Sequence, residues 1–149
     1  MEKLQEQNAP ALMINSQYIK DLSLEIPLAP QIFKEVSKQS KISVDVNVQT
    51  TNLEDTTYNV DLNLTLNGDI EDKKLFILEL TYSSVVTLNV PKEHIEPILN
   101  IEIPRLLFPF ARNVISQCLM EGGLPPIMLS PIDFTAYYAS RQAKQDNKQ

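Results

Sequence analysis

The sequence predicts one α+β domain, in which a block of β-strands is followed by α-helices. Three observations support this prediction. Within residues 17–66, apolar and polar residues alternate in several segments, which is the pattern of strands with one buried face. From Ile103 to Glu121, apolar residues recur every three or four positions, which is the period of a helix. The chain has 149 residues, of which 43% are hydrophobic and 21% charged, as expected for a single globular domain.

The first three strands are predicted from this alternation alone. They run from Gln17 to Ile26, from Ile42 to Val48 and from Tyr58 to Leu66. In each strand the even positions are mostly apolar and the odd positions mostly polar. Because one face is polar throughout, the sheet is expected to be antiparallel with that face toward solvent.

The fourth predicted strand runs from about Leu75 to Val90 and is apolar on both faces in its first half. Such a strand lies inside a sheet or beneath a covering element. Asn67-Gly68-Asp69 precedes it, and an Asn-Gly pair readily adopts positive φ in a hairpin turn. The third and fourth strands are therefore predicted to pair antiparallel through a turn at these three residues.

Two helices are predicted directly after the strands. Pro91 to Leu99 can form a short helix, since proline is favoured in a first turn. The longer helix, from Ile103 to Glu121, contains Pro109, which is expected to kink it or to set its effective start. Gly122-Gly123 supplies a stop at its C-terminal end.

A last helix and two flexible ends complete the predicted domain. Gly122 to Ser130 is expected to be an extended loop, after which Pro131-Ile132-Asp133 starts the last helix. Residues 1–16 and 141–149 are polar and are predicted to be flexible. The folded domain is therefore expected to span residues 17–140.

Charge and cysteine content restrict the partners and the compartment. The formal net charge of −6 disfavours binding to phosphate backbones, so no nucleic acid partner is expected. Cys118 is the only cysteine, which excludes an intramolecular disulfide and favours a reducing compartment. Met1 to Met13 lacks the apolar run of a signal peptide, and no later segment approaches the roughly 18 apolar residues of a membrane span. A cytoplasmic protein without direct membrane insertion is expected.

The chain lacks the residues that most catalytic sites require. His94 is the only histidine, which excludes a Ser/His/Asp triad and a His-based metal cluster within one chain. The three glycines, Gly68, Gly122 and Gly123, are too few and too scattered for a phosphate-binding loop. We therefore expect a binding protein that is not an enzyme and that uses no metal or cofactor.

Acidic residues occupy outward-facing positions of the predicted strands. Exposed carboxylates lack the burial that raises a pKa for general acid catalysis, so a docking surface is the preferred interpretation. A solvated face without a partner is the alternative. The carboxylates at odd strand positions are Asp21, Glu25, Asp45, Asp61 and Glu79.

Four ordered motifs resemble the SecB family of bacterial protein-export chaperones, with a similarity that covers about residues 17–140. Four motifs in the same order are far more specific than any one of them. Tyr82-Ser83-Ser84 departs from the family, which typically has Tyr-Ala-Gly or another glycine-containing segment there. The matching segments are Tyr18 to Pro27 followed by Ala29-Pro30, Leu107-Phe108-Pro109-Phe110-Ala111-Arg112, Gly122-Gly123-Leu124-Pro125-Pro126-Ile127 and Pro131-Ile132-Asp133-Phe134.

The resemblance implies a fold, an assembly and a function. The expected fold is a four-stranded antiparallel sheet with helices packed on one side, and the expected assembly is a homotetramer built as a dimer of dimers. Proteins of this family bind unfolded precursor proteins in long hydrophobic grooves without nucleotide. They deliver these clients to the SecA translocation ATPase.

The resemblance also implies two sets of site residues. The expected SecA-binding residues are Asp21, Glu25, Ile77 and Glu79. Four aromatic residues are the candidates for the client groove, with plain core positions as their alternative. These are Tyr18, Phe33, Phe134 and Tyr137.

Three rival functions remain open at this point. A SecB-like chaperone could serve one dedicated client, such as a toxin–antitoxin pair, instead of general export. A small hydrolase or ligand-binding enzyme would require a convergent polar pocket, which the single histidine and the scarce glycines disfavour. A purely structural oligomer would have no affinity for unfolded protein.

Overall fold

The structure, a computed structural model, describes residues 9–148 and confirms the predicted α+β fold. Its centre is an antiparallel sheet of four strands in the order β1-β4-β3-β2. The two central strands, β3 and β4, are therefore paired on both sides, and β1 and β2 form the edges. The strands are β1 Leu12–Glu25, β2 Lys41–Glu54, β3 Thr57–Ile70 and β4 Lys73–Leu88.

The helices follow the sheet, apart from a short 3₁₀ helix, Gln31–Glu35, between β1 and β2. The chain is then helical without interruption from Lys92 to Glu121. Within residues 9–148, no helix has both the length and the apolar character that crossing a membrane requires. The helical elements are the 3₁₀ turn Lys92–His94, α1 Ile95–Pro97, the π-turn Ile98–Glu102, α2 Ile103–Glu121 and α3 Phe134–Asp146.

Both helices predicted after the strands are present, and α2 has the predicted bounds. The short helix leads directly into α2 through the π-turn. Pro104 is the second residue of α2 and directly follows the π-turn. Pro109 lies inside α2 and does not set its start.

The core lies between α2 and one face of the sheet. Leu64 of β3 and Leu80 of β4 are opposite each other and are almost completely buried. Leu107, Ala111 and Ile115 of α2 are fully buried in the same apolar cluster. Burying an aliphatic side chain of this size stabilises a fold by about 1.5–3 kcal/mol, so this contact fixes which face of the sheet is covered.

The sheet consequently has two distinct faces. The helix face carries the even-numbered residues of β3, including Val60 and Leu62, both fully buried. The opposite face, here called the outer face, carries the odd-numbered polar residues of β3, including Asp61 and Asn63. This arrangement confirms the predicted sheet with helices on one side.

Two β-bulges in β1 change which of its side chains share a face. The register shifts between Ile14 and Ser16, and again between Ile19 and Asp21. Tyr18 is thereby opposite Ser83, on the outer face. The prediction that Tyr18 and Leu22 share a face was wrong, because the unpaired bulge residue between them reverses the alternation.

The hairpin between β3 and β4 forms, but its turn lies at Glu71 and Asp72 instead of residues 67–69. Glu71 has the positive φ of 55° that the turn requires. Gly68 belongs to β3 and is opposite Phe76. A Cβ atom at Gly68 would overlap the Phe76 ring, so the glycine is needed for packing and not for the turn.

Both ends of the domain extend further than predicted. β1 begins at Leu12 and α3 continues to Asp146, so parts of the segments predicted to be flexible are regular structure. Strand pairing with β4 orders the first segment, and contacts of α3 with β2 order the second. Residues 1–8 and 149, which complete the two predicted flexible segments, lie outside the described residues.

The predicted stop after α2 and the predicted start of α3 are confirmed. Gly123 has a φ of 79°, and the Leu124 N–H donates to the Leu119 carbonyl at 2.9 Å. This left-handed glycine closes the helix as a C-terminal cap. At the start of α3, the Asp133 carboxylate accepts a hydrogen bond from the Ala136 N–H at 3.0 Å.

We expect Gly68→Ala to destabilise the protein by about 1–3 kcal/mol, because the added methyl group must displace the buried Phe76 ring. Urea unfolding at a fixed protein concentration measures this change. Phe76→Leu removes part of the ring and should make the second substitution less costly, so the double variant should lose less than the two single variants together. Additive losses would contradict the steric explanation.

Candidate functional surfaces

The outer face brings together the four residues that the resemblance assigned to SecA binding. On β1 and β4, Ser23 is opposite Glu79, and Glu25 is opposite Ile77. Asp21, opposite Thr81, lies in the row beside Ser23. Directly opposed side chains in a sheet lie about 5 Å apart at their Cβ atoms, so these residues form one surface, here called the acidic face.

The acidic face is open to solvent. Asp21, Glu25 and Glu79 are exposed, and Ile77 is half-buried between them. Asp45 of β2 lies in the same row as Glu79, two strands away across Thr65. The face therefore combines spread negative charge with one apolar contact point, an arrangement that suits a basic, partly apolar partner.

Beside the acidic face, a polar network crosses three strands of the outer face. The Tyr18 hydroxyl donates to the Asn59 Oδ1 atom at 2.6 Å, and Asn59 Nδ2 donates to Asp61 Oδ1 at 2.9 Å. The Ser83 hydroxyl also donates to Asp61 Oδ1, at 2.5 Å. Lys20 Nζ lies 3.5 Å from Asp61 Oδ2. These contacts depend on strand register and on the bulge at Lys20, so the sequence pattern alone does not reveal them.

The four aromatic candidates for the client groove do not share one surface. Tyr18 lies on the outer face of β1, and Phe33 is partly exposed on the 3₁₀ helix beside Gly123. Phe134 is only 1% exposed and packs edge-on against Phe108. Phe134 therefore lies in the core, which is the stated alternative to a groove position, and the groove role of the four aromatic residues stays a prediction.

Tyr137, the fourth candidate, lies where α3 meets the free edge of β2. Its hydroxyl accepts a hydrogen bond from the Val48 N–H at 3.3 Å, and Arg141 Nη1 donates to the Val48 carbonyl at 2.6 Å. The Arg141 guanidinium also stacks over the Tyr137 ring, 5.6 Å from its centroid. These two side chains therefore form hydrogen bonds with the N–H and C=O of Val48, which a neighbouring strand would otherwise pair.

The same contacts show the direction of the other backbone groups on β2. Because the N–H and C=O of Val48 point to the free edge, those of Ile42, Val44 and Val46 point there too, since antiparallel pairing alternates every two residues. Their side chains lie on the helix face. This part of β2 thus presents both apolar side chains and an edge suitable for strand pairing.

An apolar cavity of about 400 Å³ adjoins this edge. Ile42 and Val44 form one wall, and the loop from Ile127 to Ile132 forms the other. Met128 on this loop is 81% exposed. The loop is anchored to α2 because the Ser116 hydroxyl donates to the Ile127 carbonyl at 2.8 Å. The exposed apolar residue in a proline-rich loop is the signal by which sequence analysis could have found this cavity.

The positions of the histidine, the cysteine and the acidic side chains bear on metal binding and reactivity. Within residues 9–148, no group of three or more His, Cys, Asp or Glu side chains is arranged to bind a metal ion. His94 is exposed in the turn before α1. Burial raises the pKa of the Cys118 thiol, which disfavours its reactive thiolate form.

Comparison with known proteins supplies the family. The model of the SecB family, described as preprotein translocase subunit SecB, matches residues 5–145. The protein-export protein SecB of Paramagnetospirillum magneticum is 47% identical over 144 residues, which cover 96% of this chain and 93% of that protein. The protein of the same name from Rhodospirillum rubrum is 47% identical over 135 residues, with 90% and 84% covered.

One solved structure supports the fold. The SecB-like chaperone of Mycobacterium tuberculosis, in complex with a ChAD peptide from the HigA1 antitoxin, superposes with a TM-score of 0.70. The match covers 82% of this chain and 91% of that chain at 10% sequence identity. At this identity the likeness shows a shared fold alone.

Proposed function

The chain belongs to the SecB family, and we propose that it is a cytoplasmic holdase chaperone, not an enzyme, that binds unfolded precursor proteins and delivers them to SecA. The observation that carries this proposal is the apolar cavity beside the free edge of β2, in a chain whose relatives are named protein-export proteins. These names also favour general export over one dedicated client.

Client binding is proposed to combine two interactions at β2. An unfolded chain in an extended conformation can pair its backbone with the outward N–H and C=O groups of Ile42, Val44 and Val46. Its apolar side chains can then enter the cavity next to Met128. Backbone pairing is independent of sequence, so this mode gives the broad specificity that an export chaperone needs. It requires neither nucleotide nor a metal.

Val44→Asp should weaken client binding roughly ten-fold. The substitution removes an aliphatic side chain that a bound client would bury, and it puts a charged carboxylate in its place. The loss of binding free energy is therefore at least that of one buried aliphatic side chain. Delay of refolding of a slow-folding precursor, measured without ATP, reports this binding. Ser43→Asp adds the same charge one residue earlier, on the outer face, and is the matched control. Equal weakening by both variants, or a requirement for nucleotide, would contradict the proposed client site.

SecA is proposed to dock on the acidic face, through the basic, zinc-stabilised C-terminal tail that the family resemblance suggests. The negative charges of Asp21, Glu25 and Glu79 steer and orient a basic segment, while Ile77 offers an apolar contact. Client and ATPase would then occupy different surfaces. This separation would allow SecA to engage a loaded chaperone.

Neutralising the acidic face should weaken SecA binding and leave client binding intact. Asp21→Asn, Glu25→Gln and Glu79→Gln are each expected to lower the affinity a few-fold, because each removes one exposed charge. Raising the salt concentration should reduce the differences between the variants. Calorimetric titration with the SecA tail peptide measures these effects. Unchanged tail affinity in all three variants would exclude this docking site.

A homotetramer, built as a dimer of dimers, is proposed as the working assembly. Leu106 and Phe110 of α2 are exposed, Phe110 at 52%, and Ile19 and Leu22 of β1 are exposed on the same side of the sheet. Contact with further copies of the chain would bury these apolar residues and cover the free edge of β1.

Phe110→Glu should dissociate the assembly without unfolding the chain. Phe110 is exposed, so the introduced carboxylate would be buried only in an interface between chains. Sedimentation should show a species of four 16.9 kDa chains for the wild-type protein and smaller species for the variant. Gln117→Glu adds the same charge at an exposed polar position of α2 and should leave the assembly intact. A wild-type protein that sediments as a stable monomer would contradict the proposal.

A further inference from the structure

The cation Lys20 lies beside the acidic face, although a positive charge there should oppose docking of a basic partner. Lys20 is the bulge residue of β1, between the rows that contain Tyr18 and Asp21. Its side chain is 56% exposed, and its Nζ atom lies 3.5 Å from Asp61 Oδ2. A lysine stem is long and flexible enough to reach the adjacent Asp21 as well. The position of this one ammonium group therefore influences the charge of the whole face.

The Asp61 side chain is held in one position by burial and by hydrogen bonds. It lies on β3, two strands away from Lys20, and is only 6% exposed. Asn59 and Ser83 both donate hydrogen bonds to its Oδ1 atom. These bonds leave the Oδ2 atom for Lys20. Ser83, between Lys20 and Asp61 in the sheet, is small enough for the lysine stem to pass over it.

We propose that Asp61 is a positioning residue of the acidic face, which holds the Lys20 ammonium group over the row of Tyr18 and away from Asp21 and Glu79. The carboxylates that bind the basic partner then have no ammonium group beside them to offset their negative charge. Asp61 itself is too buried to be a main contact of the partner. This inference rests on the proposed docking of SecA at the acidic face.

Asp61→Asn tests the proposal with little change of shape. Asparagine has the size of aspartate and its Oδ1 atom can accept the same hydrogen bonds from Asn59 and Ser83, but it does not hold an ammonium ion. The Lys20 ammonium group should then move toward Asp21 and Glu79 and offset their negative charge. Couplings between exposed charges are small, so we expect the affinity for the SecA tail peptide to fall about three-fold at low salt. Asp61→Glu, which keeps the negative charge, should bind as the wild type does.

A double-mutant cycle separates positioning from simple loss of charge. In a Lys20→Gln background no ammonium group can be released, so Asp61→Asn should change the affinity by less than about 1.5-fold. Asp45→Asn, which removes an exposed carboxylate of β2 on the same face, should have the same effect with and without Lys20. Calorimetric titration of the intact protein with the tail peptide gives these values, and melting temperatures verify folding.

Equal effects of Asp61→Asn in both backgrounds would overturn the inference. Lys20→Gln alone provides a second test that needs no change at a buried position. It should strengthen binding less than about two-fold, because the ammonium group is already held by Asp61, and a larger gain would also overturn the inference. If Asp21→Asn weakens binding while the cycle is additive, the inference alone fails. If Asp21→Asn has no effect, the docking proposal fails and the inference fails with it.

Discussion

The packing of α2 against the even-numbered residues of β3 and β4 is the contact on which the rest of the structure depends. Leu64 and Leu80 are almost completely buried in the same apolar cluster as Ala111 and Ile115. Once this face is covered, the odd-numbered residues of the same strands must face outward, because side chains alternate along a strand. The acidic face is thus a direct consequence of the position of the core.

The register of β1 against β4 then decides which residues share that outer face. Each bulge reverses the alternation of β1, and the bulge at Lys20 brings Tyr18 to the same side as Asp21. The same bulge directs Lys20 toward Asp61. A local irregularity of one residue therefore shapes both the polar network and the charge of the proposed docking surface.

Besides the acidic face, the two edges of the sheet, at β2 and at β1, each form a further surface. At the edge of β2, Tyr137 and Arg141 occupy the backbone groups of Val48, while the apolar cavity beside Val44 remains open. At the edge of β1, apolar side chains such as Ile19 remain exposed. The proposals for client binding, self-association and SecA docking thus use different parts of one sheet.

The sequence by itself determined the fold class, the four strands, the bounds of α2 and the glycine stop at Gly123, because each follows from local periodicity or from backbone conformation. It also placed Asp21, Glu25, Ile77 and Glu79 correctly on one face, through strand parity and family resemblance. Only the tertiary structure decided what depends on contacts between distant segments.

These contacts include the burial of Phe134 against Phe108, the place of Gly68 opposite Phe76, and the ion pair of Lys20 with Asp61. The first places a candidate for the client groove in the core, and the second gives Gly68 a packing role within β3 instead of a role in the turn. In each case the deciding partner is a side chain on another strand or helix. Local patterns along the chain specify which face a residue can occupy, but not which distant residue it will meet there.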